Sequence, residues 1–324
     1  MMQAAVIAAP TQCRLAEVLL PEPAPDEVRV RIEGCGICGS NLPPWEGRPW
    51  FRYPLAPGEL GHEGWGRVDA PGKNVKSVKE GDRVALLSYR AYAEYDIAAE
   101  SALIRLPPVL QSQPFPGEAL GCAMNVFRRA DVKPGQTVAI VGIGFLGAVL
   151  AALSAKQGAR VLAISRRPFA LDIARKMGAQ ATFQWNQEQD ASVLDAVKME
   201  ACGKGCDRVI EATGTQAALD LAGELTRERG KLIIAGYHQD GPRQVNLQLW
   251  NWRGLDVINA HERDPLVYRE GVELAVEAVL SGQLDPSPLY THNFHLRELG
   301  YGLNAMKERR DGFLKGWVTC TGGN

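Results

Sequence analysis

Between about Thr137 and Ala260 the chain alternates short apolar runs with amphipathic segments. "TVAIVG" leads into "LGAVLAALSAKQG", "RVLAIS" into "FALDIARKMG", and "CDRVIEATG" into "AALDLAGELTRERG", before "KLIIAG" and "LDVINA" close the series. Strands that are apolar throughout, separated by helices, are buried on both faces, so this stretch predicts a parallel, doubly wound sheet. No other feature restricts the fold as strongly. The first 120 residues have a different texture: "EVRVRIEG", "GWGRVDAPG" and "DRVALLS" are short alternating segments between Gly and Pro turns, which predicts a small β-rich, barrel-like domain. Beyond Arg263 come a helix ("YREGVELAVEAVLSG"), an extended piece ("YTHNFHL"), a second helix ("LRELGYGLNAMKER") and the strand "LKGWVTC".

"VGIGFLG" places Gly142, Gly144 and Gly147 in the G-x-G-x-x-G spacing between a strand and a helix. Glycine at the first two positions lets the backbone turn tightly and approach a pyrophosphate seated on the free N–H groups of the helix start. The same glycines could serve a strand-to-helix turn without ligand; the strands around the motif favour a dinucleotide. At the end of the second strand, where an Asp or Glu holds a ribose with free hydroxyls, the chain reads "AISRRP". Ser165 stands in the acid's place, followed by Arg166 and Arg167, either of which could pair with a 2′-phosphate. That pattern predicts NADP, with NAD possible; the alternative is a solvated basic pair opening a helix.

Lys and Arg number 36 against 37 Asp and Glu, with no run of like charge, which argues against nucleic acid and against an anionic membrane surface. No run reaches the ~18 apolar residues of a membrane span, and no leader pattern opens the chain, so a cytoplasmic protein is expected. The cysteines at 13, 35, 38, 122, 202, 206 and 320 are odd in number and irregular in spacing, unlike a secreted disulfide framework. Within "GCGICGSN", Cys35 and Cys38 could be half of a structural zinc site, a redox couple, or one metal ligand beside a bystander.

"GICGSN" at 36–41, "GHEGWG" at 61–66, "GDRV" at 81–84, "GEALG" at 117–121, "VGIGFLG" and "DRVIEATG" at 207–214 occur in an order that resembles the medium-chain dehydrogenase/reductase family, in its zinc-dependent alcohol and polyol dehydrogenase branch. The resemblance covers nearly the whole chain. It implies a GroES-like β-rich catalytic domain from residues 1–122 and 263–324, with a Rossmann domain at 123–262. The implied zinc ligands are Cys38, His62 and Glu118, with Glu118 rather than Cys122 at the third position, as in the polyol dehydrogenase pattern. Cys35 and Cys122 become bystanders, and Glu63 a carboxylate behind the ligands or a transient fourth ligand. Three such ligands leave a position open for water or substrate oxygen. The implied cofactor contacts are Gly142, Gly144, Phe145, Leu146, Gly147, Ser165, Arg166, Arg167 and Thr213.

Two departures from the family pattern stand out. The lobe with four closely spaced cysteines is absent, so one catalytic zinc and no structural zinc is expected. Ser40 is present, but the stretch where many relatives carry a relay histidine reads "SNLPPW", and Pro43 cannot carry a proton. The proton then leaves through Ser40 by another route, or through His261 in "NAHERD", unless His261 is an ordinary loop histidine. Trp45, Trp50 and Phe51 either line a substrate cleft or belong to the core. The reaction implied is reversible oxidation of an alcohol, polyol or sugar hydroxyl to a carbonyl, in a homodimer or homotetramer paired along the edge strand "LDVINA". A zinc-free NADPH-dependent reductase and a non-catalytic NADP-binding protein are the competing readings.

Overall fold

In the computed structural model, which describes residues 1–186 and 190–320, the chain opens with an antiparallel pair, β1 (Met2–Ala9) and β2 (Gln12–Val18). There follow β3 (Glu27–Gly36), the short helix α1 (Leu42–Glu46), β4 (Gly64–Pro71), β5 (Arg83–Leu86), β6 (Tyr95–Ala99), β7 (Leu103–Arg105) and α2 (Gly117–Ala130). The doubly wound region runs β8 (Thr137–Val141), α3 (Phe145–Lys156), β9 (Arg160–Ser165), α4 (Pro168–Lys176), β10 (Ala181–Gln184), α5 (Asp190–Glu200), β11 (Cys206–Glu211), α6 (Gln216–Leu225), β12 (Thr226–Ile234), α7 (Leu247–Arg253) and β13 (Asp256–Asn259). The chain closes with α8 (Pro265–Leu280), β14 (Tyr290–His295), α9 (Leu299–Glu308) and β15 (Lys315–Thr319).

These elements fall into two units. One comprises Met1–Gly121, Pro265–Val276 and the chain from Tyr290 onward; the other comprises Cys122–Asp264 and Glu277–Leu289. In the first, strands pair in the order β14-β15-β3-β4-β5-β7, with β6 also on β3. Buried and less buried residues alternate along β3 up to Ile32, as an antiparallel strand with one solvated face requires; from Gly34 to Gly36 the strand is wholly buried. Val28, Val30 and Ile32 pack with Ile37, Trp45, Tyr92 and Val318 in one core. Trp45 is thereby a core residue, its indole N–H donating to Asn304 Oδ1 at 2.9 Å, whereas Trp50 is exposed.

The second unit carries a parallel sheet in the order β10-β9-β8-β11-β12-β13. Val138–Val141 and Val161–Ile164 are fully buried, the two-faced burial that their unbroken apolar sequence predicts. The strand order reverses between β8 and β11, the switch point at which doubly wound sheets bind ligands. The structure adds β10, α5 and α7, which carry weaker periodicity, to the elements predicted from sequence. It also moves "TRERG" out of the helix: α6 ends at Leu225, and Thr226 opens β12. The β-branched Thr226 is buried there, with its hydroxyl donating to Ala222 O at 2.7 Å. Among the described residues no helix is long and apolar enough to cross a membrane, and no two cysteines are joined by a disulfide.

Candidate metal and dinucleotide sites

β3 ends in the core, and the chain turns outward at Cys38 in extended conformation. Asn41, three residues on and almost fully buried, holds that turn. Its Oδ1 accepts the Cys38 N–H at 3.0 Å and the Tyr92 hydroxyl at 2.8 Å, while its Nδ2 donates to Leu60 O at 3.1 Å. The same Leu60 carbonyl accepts from His62 Nδ1 at 2.8 Å. A carbonyl can only accept, so Nδ1 carries a proton and Nε2 is the ring nitrogen turned to the donor group, the orientation a metal ligand needs. Leu60 has φ +79°, a left-handed conformation that a leucine adopts only when its surroundings impose it.

Cys38 Sγ, a His62 ring nitrogen and a Glu63 carboxylate oxygen all lie within 4.8 Å of one another. Glu118 Oε2, from the first turn of α2, is 4.0 Å from His62 Nε2, and Ser40 Oγ is 3.5 Å from it. Burial pulls His62 toward its neutral form, but Cys38, Glu118 and Glu63 outweigh it and hold the imidazole up at about 10. An imidazole proton there stands where a divalent cation would answer the same negative field. Soft sulfur, imidazole and carboxylate are a donor set that suits zinc. Cys35 lies in β3, fully buried, with its thiol pushed up chiefly by that burial; it is not in the donor group, and neither is Cys122.

Glu63 is 1% exposed, and its carboxylate forms an ion pair with Lys315 Nζ from β15. Lys315 is itself buried and donates to Ile37 O at 3.1 Å. Burial lowers its pKa, but the carboxylate of Glu63 and the other negative groups around it more than offset that, leaving it above the ordinary value. A Cβ at residue 36 would lie 1.8 Å from Glu63 Oε2, so only Gly36 allows the carboxylate to sit there. Sequence reasoning passed over both Asn41 and Lys315. The legible signal for Lys315 is a lone cation inside the apolar strand "FLKGWV"; for Asn41 there is none beyond its place after Ser40.

In the second unit the turn after β8 holds Gly142 at φ +103°, where a Cβ would meet Thr213 Cγ2 at 2.4 Å. At Gly147 a Cβ would meet Gly142 O at 2.0 Å, whereas at Gly144 the space is open within 4 Å. Tight turn, open approach and close helix packing are the three demands of a pyrophosphate-binding turn, and Gly144 caps α3 so that the N–H groups of Phe145, Leu146 and Gly147 head the helix. Ser165 is buried at the end of β9, its Oγ accepting from Arg167 N at 3.3 Å. The Arg167 guanidinium reaches back to Ile143 O at 3.5 Å, and Arg166 is exposed at the rim. His261 belongs to this unit, its ring 5.0 Å from that of Tyr237; burial, then Arg263 and His238, lower its pKa.

Residues 134–277 match the zinc-binding dehydrogenase family, and residues 24–108 match the alcohol dehydrogenase GroES-like domain. Among characterised relatives, the erythritol/L-threitol dehydrogenase of Mycolicibacterium smegmatis is 28% identical over 96% of this chain and 95% of its own. Human sorbitol dehydrogenase is 26% identical, over 90% and 89%. Among solved structures, 2R,3R-butanediol dehydrogenase from Bacillus subtilis superposes with a TM-score of 0.84 at 24% identity, covering 99% of this chain and all of that one.

The Glu63–Lys315 pair yields a stability prediction. Lys315→Met strands a buried carboxylate, so urea unfolding of the metal-free protein should show a loss of about 3–5 kcal/mol. Adding Glu63→Gln should restore most of it, and a loss below about 1 kcal/mol for the single variant would show that the pair is dispensable.

Proposed function

The chain belongs to the zinc-type medium-chain dehydrogenase family and is an alcohol dehydrogenase-type oxidoreductase, and on that premise we propose that it interconverts a polyol or sugar-type hydroxyl and its carbonyl with zinc and NADP(H). One observation carries the reading: Cys38, His62 and Glu63 present their donor atoms within 4.8 Å of one another, with Glu118 Oε2 4.0 Å from His62 Nε2. The polyol preference draws on the relatives named erythritol/L-threitol and sorbitol dehydrogenase.

Cys38, His62 and Glu118 would hold the zinc, and Glu63, already paired with Lys315, would stand behind them. Zinc and NADP when bound supply, respectively, a Lewis acid that acidifies the substrate hydroxyl and a hydride acceptor. The protein's part is positional. His62 offers Nε2 because Leu60 O holds Nδ1–H, and Ser40 is the hydroxyl beside His62 that can accept a proton and pass it on. Pro43 contributes no proton carrier. His261 is the other candidate carrier, and its lowered pKa keeps it neutral and able to accept. Arg166 would pair with the 2′-phosphate, Ser165 leaves that phosphate unopposed, and the turn from Gly142 to Gly147 would take the pyrophosphate.

A cytoplasmic homodimer or homotetramer completes the proposal. β13 ends the parallel sheet, and Trp252 and Leu247 of the preceding α7 are 85% and 57% exposed. A second copy pairing along β13 would cover an edge that otherwise invites aggregation.

Three outcomes are expected. Metal analysis of protein expressed with zinc should find about one zinc per chain, and Glu118→Ala should weaken zinc binding more than Cys122→Ser; the reverse order would move the third ligand to Cys122. A charge-assisted arginine contact contributes about 1.5–3 kcal/mol, so NADP should bind roughly ten- to a hundredfold tighter than NAD at low salt. Ser165→Asp with Arg166→Ala should invert that preference, and wild-type binding of NAD as tight as NADP would end the phosphate assignment. Sedimentation at micromolar concentration should show a dimer or larger, and a monomer would discount the β13 edge.

A further inference from the structure

Strand order makes the second unit's sheet a ruler. Neighbouring strands lie about 4.8 Å apart, so the ends of β9 and β13, four steps away from each other, are separated by roughly 19 Å. If the adenosine end lies at Ser165 after β9 and the pyrophosphate on the turn after β8, as proposed above, the nicotinamide half falls over the loops that follow β11, β12 and β13. Those loops are joined by side chains of which Glu211, His238 and Arg243 take no part in the reaction outlined above.

Glu211, the last residue of β11, is fully buried. Its Oε1 accepts from Thr213 N at 2.6 Å, Thr213 Oγ1 at 2.7 Å and Gly214 N at 2.9 Å. Its Oε2 faces His238 Nε2 at 2.9 Å. On the far side of that ring, Arg243 Nε lies 2.8 Å from His238 Nδ1. A guanidinium can only donate, so Nδ1 accepts and Nε2–H donates to Glu211. Arg243 also donates to Gly214 O at 2.7 Å and pairs with Asp240. The loops after β11 and β12 thus form one hydrogen-bonded body, and Thr213 presses it against the Gly142 turn. Tyr237, beside His238, lies with its ring tilted against that of His261 in the third loop, and the His261 carbonyl accepts from Arg129 Nη1 at 3.2 Å. His261 Nε2 is buried with no hydrogen-bond partner among the described residues.

We propose that His238, held between Arg243 and Glu211, is the positioning residue for the nicotinamide half of the dinucleotide, fixing the loops after β11 and β12 in the arrangement against which that half docks. Histidine is required at 238 because the ring faces a donor and an acceptor on opposite edges at once. Asparagine reproduces only the acceptor for Arg243, and glutamine only the donor to Glu211.

This inference rests on the dinucleotide assignment, and the experiment separates the two. Calorimetry should compare NADPH with 2′,5′-ADP, which fills only the adenosine end, on wild type, His238→Asn, His238→Gln and Arg243→Lys. Each His238 variant should lose about tenfold or more in NADPH affinity while holding 2′,5′-ADP within about twofold, with Arg243→Lys showing the same split more weakly. In turnover, KM for NADP should rise more than kcat falls. Equal weakening of both ligands would mean that His238 merely stabilises the unit, and unchanged NADPH affinity would mean that it positions nothing; either overturns the proposal. A wild type that takes NADH in place of NADPH removes only the phosphate assignment, and NADH against ADP then makes the same comparison. A wild type that binds neither dinucleotide refutes both.

Discussion

Negative charge gathered out of water around His62 is the constraint on which the first unit turns. Glu63 is 1% exposed, Cys38 and Glu118 approach the same imidazole, and taking a carboxylate out of water costs several kcal/mol even after relaxation. Lys315 answers Glu63 directly, but the sulfur of Cys38 and the carboxylate of Glu118 remain around the imidazole. A proton on His62 or a cation among the donors answers that field. The surrounding structure follows from it: β15 must bring a lysine into the core, and residue 36 must lack a side chain for the carboxylate to fit.

Charge alone would not arrange the donors, because like charges separate when they can. The arrangement is held by neutral groups. Asn41 ties the Cys38 backbone to the Leu60 carbonyl, and that carbonyl orients His62. An aspartate at 41 could accept from Cys38 and Tyr92 but could not donate to Leu60 O, and it would add another negative charge where there is already excess. The carboxamide therefore suits this site better than the carboxylate of the same shape. Leu60 bears the cost, in a backbone conformation that leucine adopts rarely.

The second unit solves a similar problem by other means. Glu211 is as deeply buried as Glu63, yet its carboxylate is met by backbone N–H groups, a threonine hydroxyl and a neutral imidazole rather than by a lysine. Hydrogen bonds from several loops satisfy the charge and also join those loops. Distributed donors of this kind make a rigid rim, whereas the Glu63–Lys315 pair anchors a single point.

Sequence by itself determined the architecture of both units and most of the candidate donors. Apolar runs of strand length separated by helices admit only a parallel sheet, and the glycine spacing after β8 places the turn, because both are local patterns set by backbone sterics and burial. Cys38, His62 and Glu118 were legible through the resemblance to the dehydrogenase family, since spacing alone left the role of each cysteine open. Weakly patterned elements such as β10 and α7 were not, and neither was the start of β12 at Thr226, whose hydroxyl bonds back to the helix it follows. Tertiary structure alone decided that Lys315 neutralises Glu63, that Asn41 joins two distant loops, and that His238 faces Glu211 and Arg243 on opposite edges. Each of these is a pairing of polar groups brought together by strand order or loop closure, and nothing in the local periodicity of a chain records which distant group will share its buried charge.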